Sequence, residues 1–251
     1  MKGFVPLLKK EIKEQLRTHR LLVMGGVLTL FSVLSPLMSY FMPEIMKMSG
    51  ETAQIELPPP TSLRVLNDYA GTIAQFGMLI VVLIAMGAVA NELKHGTALV
   101  TLSKPVNYGA FVTAKFVAMS LTLLASILIA ATSCFGYTVW LIGGASVLPY
   151  IGLNLLASLF LMFCLAMTLV FSSLFKSSLA AGGMALGTAI GLGIIASLPV
   201  IGDLLPSKIL GWGVGLLNGT GDSCWWAAGI TVAGIFLCLY FSQRILKTKD
   251  I

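Results

Sequence analysis

Ionisable side chains are few in this 251-residue chain: Asp, Glu, Lys and Arg make up 10% of it, against 57% hydrophobic residues and a mean hydropathy of +0.94. None falls in the middle of an apolar run, where each would cost about 2.5–3.5 kcal/mol on insertion scales. That absence weighs against an ion- or proton-coupled secondary transporter or a channel, which keeps titratable groups at mid-membrane depth. The two histidines, His19 and His95, lie far apart in sequence, which argues against a His-rich metal site and against the convergent His, Ser and acid set of a membrane-embedded enzyme. The four cysteines, Cys134, Cys164, Cys224 and Cys238, form no C-x-x-C pair and read as small apolar packing residues. No G-x-x-x-x-G-K-[ST] loop occurs, so the chain cannot itself cradle nucleotide phosphates.

Apolar length is what the chain has in abundance. A bilayer core of roughly 30 Å needs about 20 apolar residues per helix, because no backbone polar group can go unpaired in hydrocarbon. Six runs qualify, at 21–42, 72–91, 110–142, 150–175, 179–201 and 225–243. They predict an all-α integral membrane protein, a single transmembrane domain over 1–251. The first run is too long for a signal-peptide core, its leader carries Glu11 and Glu14, and no A-x-A site follows, so it is expected to stay in the mature protein.

An even number of spans puts both ends on one side. All of the 16 basic residues except Lys47, Arg64 and Lys208 fall on that side, which the positive-inside rule makes cytoplasmic. Six of the 10 acids (Glu44, Glu51, Glu56, Asp68, Asp203 and Asp222) fall outside. Topology thus accounts for the net charge of +6 without nucleic acid. Tyr40, Phe41, Trp140, Tyr150, Trp225 and Trp226 sit at outer span ends, where amphipathic rings favour the headgroup layer. Cys134 and Cys224 both approach that face, which leaves a disulfide open.

Outside the spans, residues 4–20 carry Val5, Leu8, Ile12 and Leu16 at three- and four-residue steps, with Lys9, Lys10, Lys13 and Arg17 mainly on other faces. This predicts an amphipathic helix on the inner membrane surface; the alternative is a basic stretch that only sets topology. The outer segment 43–71 holds a Pro58-Pro59-Pro60 run and a short helix expected over 63–69, capped by Thr61 or Ser62. Residues 199–224 stay apolar but are broken by glycine and proline, which fits a re-entrant hairpin better than a plain outer loop. Span five carries Gly183, Gly187 and Gly191 at steps of four, a face for close helix packing within the chain or in a dimer.

The window 91–115 is the constellation that carries function. Span two delivers Glu92 to the cytoplasmic surface, and Gly96 permits a sharp reversal. Thr97 can cap a short helix that projects Leu99 and Leu102. Lys104 and Pro105 close it, and Asn107 can cap span three. The product is a docking knob rather than a catalytic set, and neither catalytic nor metal-ligating residues stand out.

With these residues the chain resembles the permease subunits of ABC-2 type transporters. The family pattern is an acid at the end of span two, then Gly-Thr, a leucine-rich turn, a Pro and a Lys about ten residues on, matched here by Glu92, Gly96-Thr97, Leu99, Leu102, Pro105 and Lys115. Six spans, an amphipathic leader and a broken segment before the last span also match, so the likeness covers essentially the whole chain. It departs after the Pro, where the family often has Arg and this chain has Val106-Asn107-Tyr108.

The resemblance implies that residues 4–20 act as a connecting helix, with Lys13 or Arg17 pairing Glu92, and that the loop 92–107 acts as a coupling helix in a groove of a separate ATPase. It further implies two copies of that ATPase, a second permease subunit (identical or homologous), export across the cell membrane of a bacterium or archaeon, and ATP and Mg on the ATPase with no cofactor on this chain.

This topology predicts that residues 1–20, 91–109 and 244–251 face the cytosol. With the four native cysteines removed, Cys at position 94 or 247 should resist an impermeant thiol reagent in intact cells and react after lysis. Labelling from outside would invert the topology.

Overall fold

In hydrocarbon the backbone must satisfy its own hydrogen bonds, and helix is the local solution for an apolar run. The computed structural model describes residues 3–48, 60–96, 107–196, 202, 205–220 and 223–249, and among these all regular structure is helical. In chain order the helices are α1 (Phe4–Arg17), α2 (Arg20–Met48), α3 (Ser62–Ala85), α4 (Ala90–Lys94), α5 (Tyr108–Leu141), α6 (Val147–Leu174), α7 (Ser178–Ala196), α8 (Lys208–Asn218) and α9 (Trp225–Thr248). Six helical segments are long and apolar enough to cross a membrane: α2, α3 continuing into α4, α5, α6, α7 and α9. The six-span plan therefore holds.

The span boundaries differ from the expected ones in instructive ways. Span two begins at Ser62, ten residues before the expected start, with the Thr61 hydroxyl accepting from the Arg64 N–H at 3.4 Å. The short helix expected over 63–69 is thus the first part of the span itself. Nothing between Thr61 and Ala85 breaks a helix, since Gly71 and Gly77 each cost only about 1 kcal/mol. Helix α2 likewise runs past residue 42 through Pro36 and Pro43, and α9 continues past residue 243 so that Arg244 and Lys247 lie on helix. In the segment expected to be re-entrant, the 11-residue α8 is about 16 Å long, too short to cross. It packs on α6 where Gly213 leaves room: a Cβ there would come within 2.9 Å of Leu153.

The core lies along α5 and α6, where Leu123, Leu161, Leu165 and Leu169 are fully buried. Helix α2 covers α5; α9, α8 and α3 cover α6. Lys249 reaches back to the end of α6 and donates to the carbonyls of Ser173 and Leu174 at 2.9 and 2.7 Å. Partial burial, then the neighbouring Lys176, holds its pKa below the usual lysine value. Helix α7 buries only Ala181, Gly182 and Ala185.

Trp140, Trp225 and Trp226 are exposed, as expected of a membrane-interface belt, but Tyr150 is not. It is 5% exposed, lies between Tyr69 and Phe135, and donates to the Ala131 carbonyl at 2.9 Å. The hydroxyl gives this ring a buried partner, so it belongs to the core. All four cysteines are free thiols, Cys134 and Cys224 included.

The Tyr69 hydroxyl donates to Asn154 Oδ1 at 2.6 Å and ties α3 to α6. Tyr69→Phe leaves that partly buried oxygen without its donor and should lower stability by about 1 kcal/mol, read as an earlier midpoint in detergent-denaturant unfolding. An unchanged midpoint would show that Asn154 has another donor.

Candidate functional site

Span two does not end cleanly. After Ala85 the chain makes a turn through Met86–Val89 and resumes as α4. In an unbroken helix the N–H groups of Val89 and Ala90 would bond the carbonyls of Ala85 and Met86. Ala88 takes the Ala85 carbonyl instead, at 3.0 Å. The fully buried Ser172 hydroxyl of α6 enters the gap: it accepts from the Val89 and Ala90 N–H groups, both at 3.0 Å, and donates to the Met86 carbonyl at 2.8 Å. One side chain thus replaces the missing rungs of the ladder, which is what an inserted polar group does at a helix kink. Gly87 lets this turn close, since a Cβ there would lie 2.5 Å from Asn91 Nδ2. Asn91 in turn accepts from Ser178 at the start of α7 at 2.6 Å.

The turn sets Glu92 against α5. Lys115, about two turns into α5, is 2% exposed, and its ammonium donates to Glu92 Oε1 at 2.7 Å and to Glu11 Oε1 of α1 at 2.9 Å. It also lies 5.1 Å from the centre of the Phe111 ring. Lys10 stands 3.7 Å from the same oxygen of each acid, so two carboxylates and two ammonium groups converge with no net charge. Glu11 is 3% exposed. Charges this far from water hold only when paired and hydrogen-bonded, and here each buried charge has an opposite one within hydrogen-bond reach. Glu14 joins the two acids closely enough to suggest a cation site, but it lies 3.8 Å from Arg20, and Lys115 already occupies the focus of the other two.

Of the expected site residues, the structure brings Glu92 and Lys115 together and adds Glu11 and Lys10. The expected pairing of Glu92 with Lys13 or Arg17 is corrected: among the described residues its ion pairs run to Lys115 and Lys10, while Lys13 and Arg17 are exposed. The reason is helical phase. Helix α1 turns Leu7, Glu11 and Gln15 toward α5, one row at four-residue steps, and Lys13 and Arg17 lie off that row. The apolar stripe is split by this phase: Leu8 packs against the core, while Val5 and Leu16 are 59% and 58% exposed. Lys115, expected among the cytoplasmic charges, is a buried ion partner. The signal for Glu11 was available in its register with Leu7 and Gln15.

Gly96 has φ +71, the left-handed conformation of a helix terminator, and Asn107 caps α5 by accepting from the Gly109 N–H at 3.3 Å. Thr97, Leu99, Leu102, Lys104 and Pro105 lie outside the described residues. Among the described residues, a Cβ on Gly183, Gly187 or Gly191 would meet nothing within 4 Å, so none of them covers this face of α7.

Two comparisons bear on this arrangement. The family model for ABC-2 family transporter proteins matches residues 5–209. The chain is also 27% identical over 213 residues, 83% of either protein, to the uncharacterized transmembrane protein YxlG of Bacillus subtilis.

The ion cluster makes a double-edged prediction. Lys115→Met removes the close, buried partner of Glu11 and Glu92 and leaves them only the half-exposed Lys10 at 3.7 Å, which should cost up to about 3–5 kcal/mol of stability. Adding Glu11→Gln and Glu92→Gln should recover most of that loss in the same unfolding assay. A triple variant as unstable as Lys115→Met would mean that packing, not charge, holds the three elements together.

Proposed function

The chain belongs to the ABC-2 family of transporter proteins and is of the membrane-subunit kind, and we propose that it forms the pathway of an exporter driven by a separate ATPase. Two copies of that ATPase hold ATP and Mg, and a second permease subunit, identical or homologous, completes the pathway. The observation that carries this reading is the junction at Lys115. It joins the connecting helix α1, the segment α4 at the end of span two, and span three, and residues 97–106 link the last two in sequence.

A load applied to that loop by an ATPase reaches α5 through two routes, the chain itself at Asn107 and the ion pair at Glu92. The same load reaches α6 through Ser172 and α7 through Asn91 and Ser178. In this reading Glu92 and Lys115 transmit force, Leu99 and Leu102 supply the apolar docking contact, and Lys104 and Pro105 fix the end of the coupling helix. Lys13 and Arg17, exposed on α1, are free to meet the ATPase surface. A cavity of about 240 Å³ between α3, α6, α7 and α8, lined by Met78, Phe160, Phe163 and Met167 with Gln75 as a polar group, suits a hydrophobic or amphipathic substrate. Both termini are cytoplasmic in this arrangement.

Glu92→Gln should leave insertion and ATPase binding intact and depress transport by about tenfold or more, the worth of a charge-assisted hydrogen bond, with hydrolysis continuing uncoupled. Leu99→Asp should act earlier, blocking ATPase capture by placing a charge in an apolar contact. The chain alone should not hydrolyse ATP. Normal transport by Glu92→Gln, together with ATPase capture by Leu99→Asp, would remove this window from the coupling path.

A further inference from the structure

Where α9 leaves the apolar zone, it meets the start of α5 in a cleft of about 330 Å³ lined by Asn107, Gly109, Tyr240, Gln243, Arg244 and Lys247. Tyr240, Gln243, Arg244 and Lys247 recur at three- and four-residue steps and so form one face of α9. Arg244 is held in place, with Nε donating to the Tyr240 hydroxyl at 2.8 Å and the guanidinium 5.3 Å from the ring centre. That contact uses one of its five N–H donors and leaves the two terminal nitrogens for another acceptor. Among the described residues neither Arg244 nor Lys247 has a carboxylate partner, in contrast to Lys10, Arg20 and Lys115. Lys249, on the same helix end, is already engaged with the α6 carbonyls.

The opposite wall adds to the same field. It is the first turn of the 34-residue α5, whose N-terminal end carries partial positive charge. Gly109 brings this backbone close, since a Cβ there would stand 3.1 Å from Gln243 Oε1. Two cations, a helix N-terminus and neutral amides therefore enclose one concave space without an acid among its described lining residues.

We propose that this cleft binds the phosphate of an anionic phospholipid headgroup. A soluble phosphate has the same charge chemistry, but the position of the cleft selects the lipid. Directly along α9 from it, Phe236, Leu237 and Phe241 are 68%, 57% and 55% exposed, an apolar surface suited to acyl chains. Tyr240 sits at the transition, at the depth where amphipathic rings mark the headgroup layer. A lipid with its tails along α9 brings its phosphate to Arg244 and Lys247. The bound headgroup then sits beside Asn107, the cap of α5. Occupancy thereby braces the start of span three, an effect that does not depend on the transport reading.

The test uses the full-length chain in detergent micelles, with native mass spectrometry and titration of phosphatidylglycerol against phosphatidylcholine. Wild type should retain phosphatidylglycerol selectively, and Arg244→Gln with Lys247→Gln should weaken its binding by on the order of tenfold. Gln243→Glu should do likewise with both cations present, which keeps the result independent of any folding defect in the double variant. Lys9→Gln with Lys176→Gln, an equal loss of charge outside the cleft, should leave binding unchanged. If that control pair weakens binding as much, diffuse surface charge is responsible and the site is refuted. Competition by millimolar inorganic phosphate would make the ligand a soluble anion and overturn the lipid assignment. Equal retention of phosphatidylcholine would also overturn it. So would a cleft variant that keeps its lipid but loses ATPase capture, since the patch would then be a protein-docking surface.

Discussion

An ammonium placed two turns inside a membrane helix constrains everything near it. Lys115 has no route to water through its own helix, so neighbouring elements must bring carboxylates to it, and they do so from positions 104 and 23 residues away. Ion pairs of this kind bring little net stability relative to an apolar replacement, because desolvation cancels much of the attraction. Their effect here is on choice of arrangement. Helix α1 has an apolar row that would pack on α5 if burial of hydrocarbon alone decided its orientation. Glu11 turns the row of Leu7, Glu11 and Gln15 inward, which leaves Val5 and Leu16 exposed while Leu8 still packs on the core. The charge pair turns the helix, and the membrane accepts the face that is left.

The same constraint reshapes span two. Glu92 reaches the ammonium because the helix breaks at Met86–Val89, and a break in hydrocarbon requires polar partners from elsewhere. Ser172 supplies them, and its three hydrogen bonds make the turn a defined structure rather than a frayed end. As a consequence α4 belongs mechanically to α6 and α7 as much as to α3.

Much of the plan was legible from residue order alone, and the parts that were not share a cause. Six spans, the left-handed Gly96 and the Asn107 cap all follow from local rules: apolar length, a residue without Cβ, an amide before a helix. Span two starts ten residues before its apolar run because Arg64 and Asp68, which resemble loop residues, ride on the Thr61-capped helix. Periodicity showed two faces on α1 without saying which meets protein and which meets lipid, since both are apolar surroundings. Tyr150 was placed in the headgroup layer by its position near a span end, while its burial depends on Tyr69 and Phe135 from other helices. The Glu11–Lys115 contact is likewise tertiary; the available clues were an acid in line with Leu7 and a lysine in an otherwise apolar helix.

Helix α7 shows how a local charge junction gains reach. Its first turn is pinned twice, by Ser178 to Asn91 and by Gly182, which lets Met86 approach so closely that a Cβ there would lie 2.7 Å from the sulfur. Both pins attach to the broken end of span two. Beyond them the helix buries little against the described residues, and its glycine face meets no side chain among them. In a bilayer no hydrophobic force drives such a face onto its neighbours, so packing alone must hold it. A rod clamped at one end and loosely held along its length pivots when the clamp moves. In the transport reading, displacement of the 97–106 loop is therefore amplified along α7, the helix that borders the apolar cavity at Ala189 and Ile190.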